Sequence, residues 1–596
     1  MITSKRISLV CVIVTVLALV FTVLFMNGEK LGITAVIDDD TESDSFFSSN
    51  ELNGGWEVSN STHITLEGES ATVSGNGAYY YEGDVIITNA GYYIVTGTLD
   101  NGSLIVDSTG SSKVWIRLNG VAINAEDDAA LRVDQAKKVF LTLAEGTSNR
   151  LSSGSSLSDA AAADGTDGVI YAHDNLCING SGTLDIDAGY MHGIVAKDSL
   201  IIAGGTLNIR SSSDGLRAND SLRITEANIR VTSGDDAVTI NDEAGYLYIA
   251  SGNISLKAED DGVNAMGNVT IDGGNITVSA GDDGIRSDKS VEINNGTILM
   301  EKCYEGIEAV TVTMNDGDVT IYPSDDGINA NGGNSGFFGG FTGFDGRGDR
   351  ADGAGDRSEP PEGFNPGEDG SFELPEGFNP GEDGSSGLPE GFKPGQNSAS
   401  GTDGTSDASA DTSAGADGET YVRINGGKLT IINSIAQDAD GIDSNGSIYI
   451  TGGDVRISLP GEGTNSAIDY ASESNGVCEI SGGTVVACGS YMMAEGFDSS
   501  STQCSILYNI SKGAGEGSTL SLEDASGNVL LSWEVPAGFT SANISCPEMT
   551  VGSTLTVRIG DSAEEITLDE VSSAFGDVQS GGFGGHMNFG GMKPEK

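Results

Sequence analysis

The sequence predicts an all-β chain wound as a parallel β-helix, with three short strands in each rung of about 22 residues. Three observations carry this. First, an Asp-Gly phrase recurs, as Asp214-Gly215-Leu216, Asp235-Asp236-Ala237-Val238, Asp260-Asp261-Gly262-Val263, Asp282-Asp283-Gly284-Ile285 and Asp325-Asp326-Gly327-Ile328. Looser copies are Asp167-Gly168, His192-Gly193, Glu305-Gly306 and Asp440-Gly441. The small residue falls at 168, 193, 215, 237, 262, 284, 306 and 327, in steps of 21 to 25, and a fixed period in this range marks a repeat architecture. Second, each repeat holds two further apolar runs, such as Leu222-Arg223-Ile224 with Ile229-Arg230-Val231, and Val269-Thr270-Ile271 with Ile276-Thr277-Val278. Their period-two alternation and Gly/Asn/Asp punctuation specify strands. Third, no unit contains the helical stretch that a leucine-rich or ankyrin repeat needs. One repeat cannot bury an apolar face alone, so the rungs stack and share one interior column.

Stacking dictates chemistry. Equivalent residues in successive rungs stand about 4.8 Å apart. The aspartates before the glycines therefore form a column of carboxylates. Two such charges repel by about 3 kcal/mol at an effective dielectric of 20, so the column calls for counter-charge. Oxygen ligands with loose spacing favour Ca²⁺, whereas transition metals favour His or Cys. The candidate Ca²⁺ ligands are Asp214, Asp235, Asp236, Asp260, Asp261, Asp282, Asp283, Asp325, Asp326 and Asp440. The glycine is expected to supply a tight turn or unusual φ that brings backbone carbonyls toward the ion. A single Asp-Gly is ordinary turn chemistry; paired acids recurring in register need more than turn propensity.

In chain order, residues 1–30 carry Lys5 and Arg6 and then an uncharged run from Ile7 to Met26, long enough to span a bilayer. The run lacks a small-residue cleavage site after it and reads as a signal anchor that exports the rest of the chain. Residues 31–55 read as a linker. Residues 56–151 read as the atypical opening rungs and cap, and 152–330 as regular rungs. Residues 331–420 hold 18 acidic and 4 basic residues and a Pro-Glu-Gly-Phe unit at 361, 375 and 389. This composition cannot bury a core and reads as a disordered insertion. It leaves from one corner of a rung, because Val422-Arg423-Ile424 is the strand expected next. Rungs continue over 421–504. Residues 505–570 read as a small β cap and 571–596 as a Gly-rich tail.

The 596 residues carry 88 acids against 29 bases, a net charge of −59, which argues against a nucleic-acid partner. Seven Cys without a CxxC pair and four His argue against zinc or redox chemistry. The cysteine pairing is left open.

Several phrases then carry a resemblance. Gly97-Thr98-Leu99, Val114-Trp115-Ile116-Arg117-Leu118-Asn119-Gly120, Leu143-Ala144-Glu145-Gly146-Thr147, Asp167-Gly168-Val169-Ile170-Tyr171-Ala172 and Gly180-Ser181-Gly182-Thr183-Leu184 follow one another as in the clostridial-type carbohydrate-binding β-helix family, related in fold to pectate lyases. The chain resembles that family over about residues 56–570. The resemblance implies a right-handed β-helix, Ca²⁺ on its surface, and binding to plant cell-wall polysaccharide, either neutral cellulose or acidic polygalacturonate. The acidic phrases at 214, 235–236, 260–261, 282–283 and 325–326 match the family's beat, while Glu126-Asp127-Asp128-Ala129 departs from its Asp-Gly-Ala step.

Three functions compete. A surface-anchored polysaccharide binder would use Ca²⁺ to bridge an acidic column to an acidic glycan. A Ca²⁺-dependent polyuronate lyase would need a base near the column, for which Arg217, Arg286, Lys257 and Lys289 are available; the plainer reading makes them salt partners. An adhesin would use the rungs as a spacer. Tyr246, Tyr248, Tyr304 and Tyr449 are open to either sugar stacking or packing between rungs.

Overall fold

The computed structural model describes residues 46–56, 59–109, 111–331 and 419–578. The apolar run at 7–26, most of the acidic insertion and residues 579–596 of the Gly-rich tail lie outside these residues; the first part of that expected tail instead forms the strand Ser572–Gly576, paired in parallel with Ser505–Ala514. Among the described residues no helix is long and apolar enough to cross a membrane.

The structure is all-β, and most of its strands pair in parallel with the strand one repeat away. Each repeat contributes in turn to three ladders. The first holds three-residue strands such as Leu216–Ala218 and Ile285–Ser287 within a 14-stranded sheet. The second holds strands such as Ser221–Thr225 and Ser290–Ile293, and the third strands such as Asn228–Thr232 and Asn275–Ser279. The second and third ladders belong to one 27-stranded sheet, joined early in the chain by long strands such as Asn175–Ala188 and Ser199–Ser211.

Alternation explains the packing. In the third ladder Ile229, Ile254, Ile276 and Ile298 follow one another in register and are all buried, while their chain neighbours point outward. The second ladder buries Leu222, Leu247, Val269 and Val291 in the same way. Column residues from all three ladders form one hydrophobic core. The ladders also continue across the insertion: Thr311–Met314 pairs with Tyr421–Ile424, and Ile328–Ala330 with Ile442–Ser444.

Positive-φ glycines sit at the corner between the second and third ladders, at Gly252, Gly274, Gly296, Gly317, Gly427, Gly453 and Gly483. The Asp-Gly glycines do not share this geometry, which corrects the expectation that they supply an unusual φ. They are required for space. A Cβ on Gly306 would lie 2.2 Å from the Gly327 carbonyl oxygen, and one on Gly262 2.4 Å from Val278 Cγ1.

Two further findings concern the ends. Residues 46–55, expected within a linker, instead dock on the outer face of the second ladder. Ser48 caps the short helix Ser49–Leu52 through a capping box with Glu51. Glu51 is buried and pairs with Lys138 and with Arg223, the latter at 3.2 Å. Trp56 packs on the stacked column of Tyr92, Trp115 and Phe140, and Phe46 stacks on Tyr248 at 3.8 Å. A polar, acidic composition concealed these anchors. At the far end, Val486, Ile506, Ile544 and Val557 belong to a second core, backed by a four-stranded antiparallel sheet that includes Thr519–Asp524 and Thr554–Ile559.

Candidate functional site

The Asp-Gly phrases lie at the turn from the third ladder into the first. Their residues form two different columns. The acid immediately before the small residue turns inward: Asp214, Asp236, Asp261 and Asp283 are buried, and Glu305 continues the series at 9 % exposure. The acid one place earlier, Asp235, Asp260 or Asp282, lies nearer solvent.

The inner carboxylates are tied along the stack by backbone hydrogen bonds. The Asp261 N–H donates to Asp236 Oδ1 at 3.0 Å, and the Asp283 N–H to Asp261 Oδ1 at 2.8 Å. After the insertion the pattern resumes: the Asp440 N–H donates to Asp326 Oδ1 at 2.6 Å, and the Ser466 N–H to Asp440 Oδ1 at 2.8 Å. One oxygen of each of these carboxylates therefore has a structural task, whether or not an ion is bound.

Burial dominates the electrostatics of the column, with neighbouring acids adding to it. Asp236 is pushed up to about 7 by burial and then by Asp214, and Asp261 to about 8 by burial and then by Asp236. Burial, a hydrogen bond with Glu308 and the charge of Asp261 push Asp283 to about 10. Glu305 reaches about 8, Asp326 about 7 and Asp440 about 9, burial leading in each case. The column therefore holds protons near neutrality unless positive charge replaces them.

The first member of the column behaves differently. Asp214 lies 3.3 Å from Arg217 and 3.4 Å from His192, so its charge is met by a side-chain cation. Burial, Arg217 and Lys197 hold the His192 imidazole down at about 3, which leaves it neutral. Arg286 pairs with Glu308 at 3.2 Å and with Asp288 at 3.5 Å. Both arginines are thus engaged as salt partners.

Four groups place carboxylate oxygens within 4.8 Å of one another: Asp235–Asp236–Asp260, Asp260–Asp261–Asp282, Asp283–Glu305–Glu308 and Asp440–Asp443–Asp469. Six of the ten sequence candidates meet in the first three groups and Asp440 joins the fourth. Asp214, Asp325 and Asp326 enter none of these groups. Sequence reading omitted Glu305, Glu308, Asp443 and Asp469 as ligands. Glu305 sat in a phrase that had already been noticed. The others occupy the position three residues after the column acid, which in register runs Arg286, Glu308, Asn329, Asp443, Asp469.

These groups fit a hard divalent cation: every donor is oxygen, and the spacing suits a flexible shell. Asp283 Oδ1 strengthens the fit, being buried with no N–H or O–H group to meet it except a proton shared with Glu308. An orphaned carboxylate oxygen among acids is costly unless a proton or a cation occupies the space.

The remaining sequence candidates sort themselves by contact. Tyr248 is 7 % exposed beneath Phe46, so it is packed rather than offered to a ligand. Tyr304 is exposed, and Tyr449 packs against Arg423. All six cysteines among the described residues are buried and free.

Comparison with known proteins adds the family. The model of the carbohydrate-binding domain-containing proteins matches residues 81–343. A carbohydrate-binding domain-containing protein of Acetivibrio thermocellus is 36 % identical over 195 residues, covering 32 % of this chain and 68 % of the relative. Among solved structures, the gadolinium derivative of the polysaccharide lyase-like protein from C. thermocellum aligns with a TM-score of 0.34 at 25 % identity, covering 45 % of this chain and 96 % of that one.

Proposed function

Because the chain belongs to the carbohydrate-binding domain-containing proteins, we propose that it is a Ca²⁺-dependent polysaccharide-binding protein held outside the cell by its N-terminal apolar run. The observation that carries the calcium reading is the set of acid groups along one edge, with Asp283 Oδ1 buried inside one of them and met by no N–H donor. The ligand proposed is a plant cell-wall glycan, polygalacturonate or cellulose, on a right-handed parallel β-helix.

The protein's own residues would do the following. Asp235, Asp236, Asp260, Asp261 and Asp282 would hold Ca²⁺ on the outer side of the column, and Asp283, Glu305 and Glu308 would hold it deeper. Bound there, the ion supplies positive charge that offsets the column and attracts the carboxylates of a polyuronate. The backbone N–H groups of Asp261, Asp283, Asp440 and Ser466 keep the inner carboxylates oriented with or without the ion. Without cations, a chain of net charge −59 repels a polyanion.

Retention of a chain beginning near residue 36 on cross-linked polygalacturonate and on insoluble cellulose, each with Ca²⁺ and with chelator, tests the reading. Chelator-sensitive retention on polygalacturonate is the expected result. Retention that ignores the chelator overturns the calcium bridge, and retention on neither matrix overturns the glycan assignment.

A further inference from the structure

We propose that Tyr421, Arg423 and Tyr449 form a second glycan-docking patch, on the outer face of the second ladder, that takes the carboxylate of a uronic-acid sugar directly on Arg423. This rests on the carbohydrate-binding reading above but not on the acid column, which lies at a different corner of the rung.

The side chains stand together by register. Thr313, Arg423 and Tyr449 follow one another on successive strands, and Tyr421 points outward two residues before Arg423. The Arg423 guanidinium lies 4.5 Å from the centre of the Tyr449 ring and 5.2 Å from that of Tyr421. All three side chains are half-buried.

The charge environment of Arg423 suits an anion. Several arginines on these faces are neutralised, Arg223 by Glu51, Arg210 by Asp187 and Arg456 by Asp454, whereas Arg117, like Arg423, is held by an aromatic ring, that of Trp56. Among the described residues Arg423 has no carboxylate within ion-pair distance, in a chain where acids outnumber bases threefold. Two tyrosine rings hold it instead, so the guanidinium is positioned without being neutralised. Its fork can donate two parallel hydrogen bonds to a carboxylate, and little side-chain freedom remains to be lost on binding.

The neighbours complete the chemistry of an acidic sugar. The tyrosine rings offer apolar faces to the C–H surface of a pyranose. Thr311 and Thr313, in register with Tyr421 and Arg423, offer hydroxyl groups to its ring hydroxyls. Glu292 and Glu479 stand two rungs from Arg423 on either side of the same column and do not pair with it. Residues 421–449 lie beyond residues 81–343, which match the family model.

The test is calorimetric titration of the Ca²⁺-saturated full chain with trigalacturonate and with its methyl ester, for the wild type, R423Q, R423K, Y449A and D283N. The wild type should prefer the free acid. R423Q should weaken trigalacturonate by roughly tenfold or more, the range for a lost hydrogen bond to a charged group, and barely change the ester. R423K should restore part of the loss, and Y449A should weaken both ligands. An R423Q chain that binds trigalacturonate like the wild type overturns the patch. If D283N then loses binding, the acid column stands alone as the site. A wild type that binds neither ligand overturns both assignments. Unfolding of each variant by circular dichroism separates lost binding from lost fold, and R423K, which keeps the charge, covers the case in which R423Q is unstable.

Discussion

Asp261→Asn separates the structural task of the column from its charge. Asp261 is 4 % exposed, accepts the Asp283 N–H at 2.8 Å and faces Asp236 one rung away. Asparagine keeps the accepting oxygen and removes the charge. Burial and Asp236 raise the Asp261 carboxyl to about 8, far above its unfolded value. A raised carboxyl contributes stability that is fully present below the unfolded pKa and is lost as pH rises through the folded one. Near pH 4 the carboxyl is protonated in the native state and largely so in the unfolded one, and the variant should match the wild type within about 1 kcal/mol. Near pH 9, in chelator, the wild type carries the penalty. One ionised neighbour about 4.8 Å away at an effective dielectric of 20 costs about 3 kcal/mol, so the variant should be more stable by about that amount. Saturating Ca²⁺ should close most of this gap, because binding at a hundredfold excess over Kd stabilises the wild type by about 2.7 kcal/mol, and the variant lacks a ligand. Urea unfolding followed by circular dichroism, at both pH values, with and without Ca²⁺, reads all four quantities. Equal stability of variant and wild type near pH 9 in chelator would refute the charged-column argument, as would the same difference at both pH values.

Four further outcomes follow from the same structure. The metal-free wild type should lose stability as pH rises from about 4 through the range 7 to 10 in which Asp236, Asp261, Glu305 and Asp283 ionise, and thermal melts with Ca²⁺ should flatten that decline. Glu51 runs the other way: burial alone would raise its carboxyl, but Lys138 and Arg223 outweigh it and hold it low, so its contribution is present at neutral pH and lost on acidification. Glu51→Ala should cost about 3 to 5 kcal/mol in urea unfolding at pH 7, because it leaves two cations without their buried partner. Gly306→Ala should destabilise by about 1 to 3 kcal/mol, its Cβ being forced on the Gly327 carbonyl, and Ile276→Ala by about 2 to 5 kcal/mol, both measurable as shifts in urea midpoint.

The interior columns and the inner acids were legible in the sequence because both are fixed by the same spacing. Ile229, Ile254 and Ile276 repeat at the interval that also places Asp236, Asp261 and Asp283 in line. The acids three residues further on were missed because Arg286, Glu308 and Asn329 share a position without sharing a residue type. Only the register of the short first-ladder strands shows that they are one column. The role of the Asp-Gly glycines was misread because a turn and a steric gap leave the same letter in a sequence. The separation lies in φ and in the carbonyl against which a Cβ would press. Residues 46–55 looked like a linker because their composition is polar. What fixes them is a partner set — Lys138, Cys177, Asn179 and Arg223 — spread over later repeats.

That partner set changes how the stack comes apart and comes together. Repeats that touch only their neighbours behave as a one-dimensional array and can fray one at a time from an end. The segment from Phe46 to Trp56 breaks this rule by acting as a latch: within eleven residues it engages Tyr92, Lys138, Asn179, Arg223 and Tyr248, so these early repeats must open together or not at all. During synthesis the latch emerges before every repeat that it engages, yet the surface that receives it is complete only when Tyr248 has been added. The latch is therefore made before its receiving surface and placed after it, and closing it converts a sequence of local folding steps into one cooperative unit.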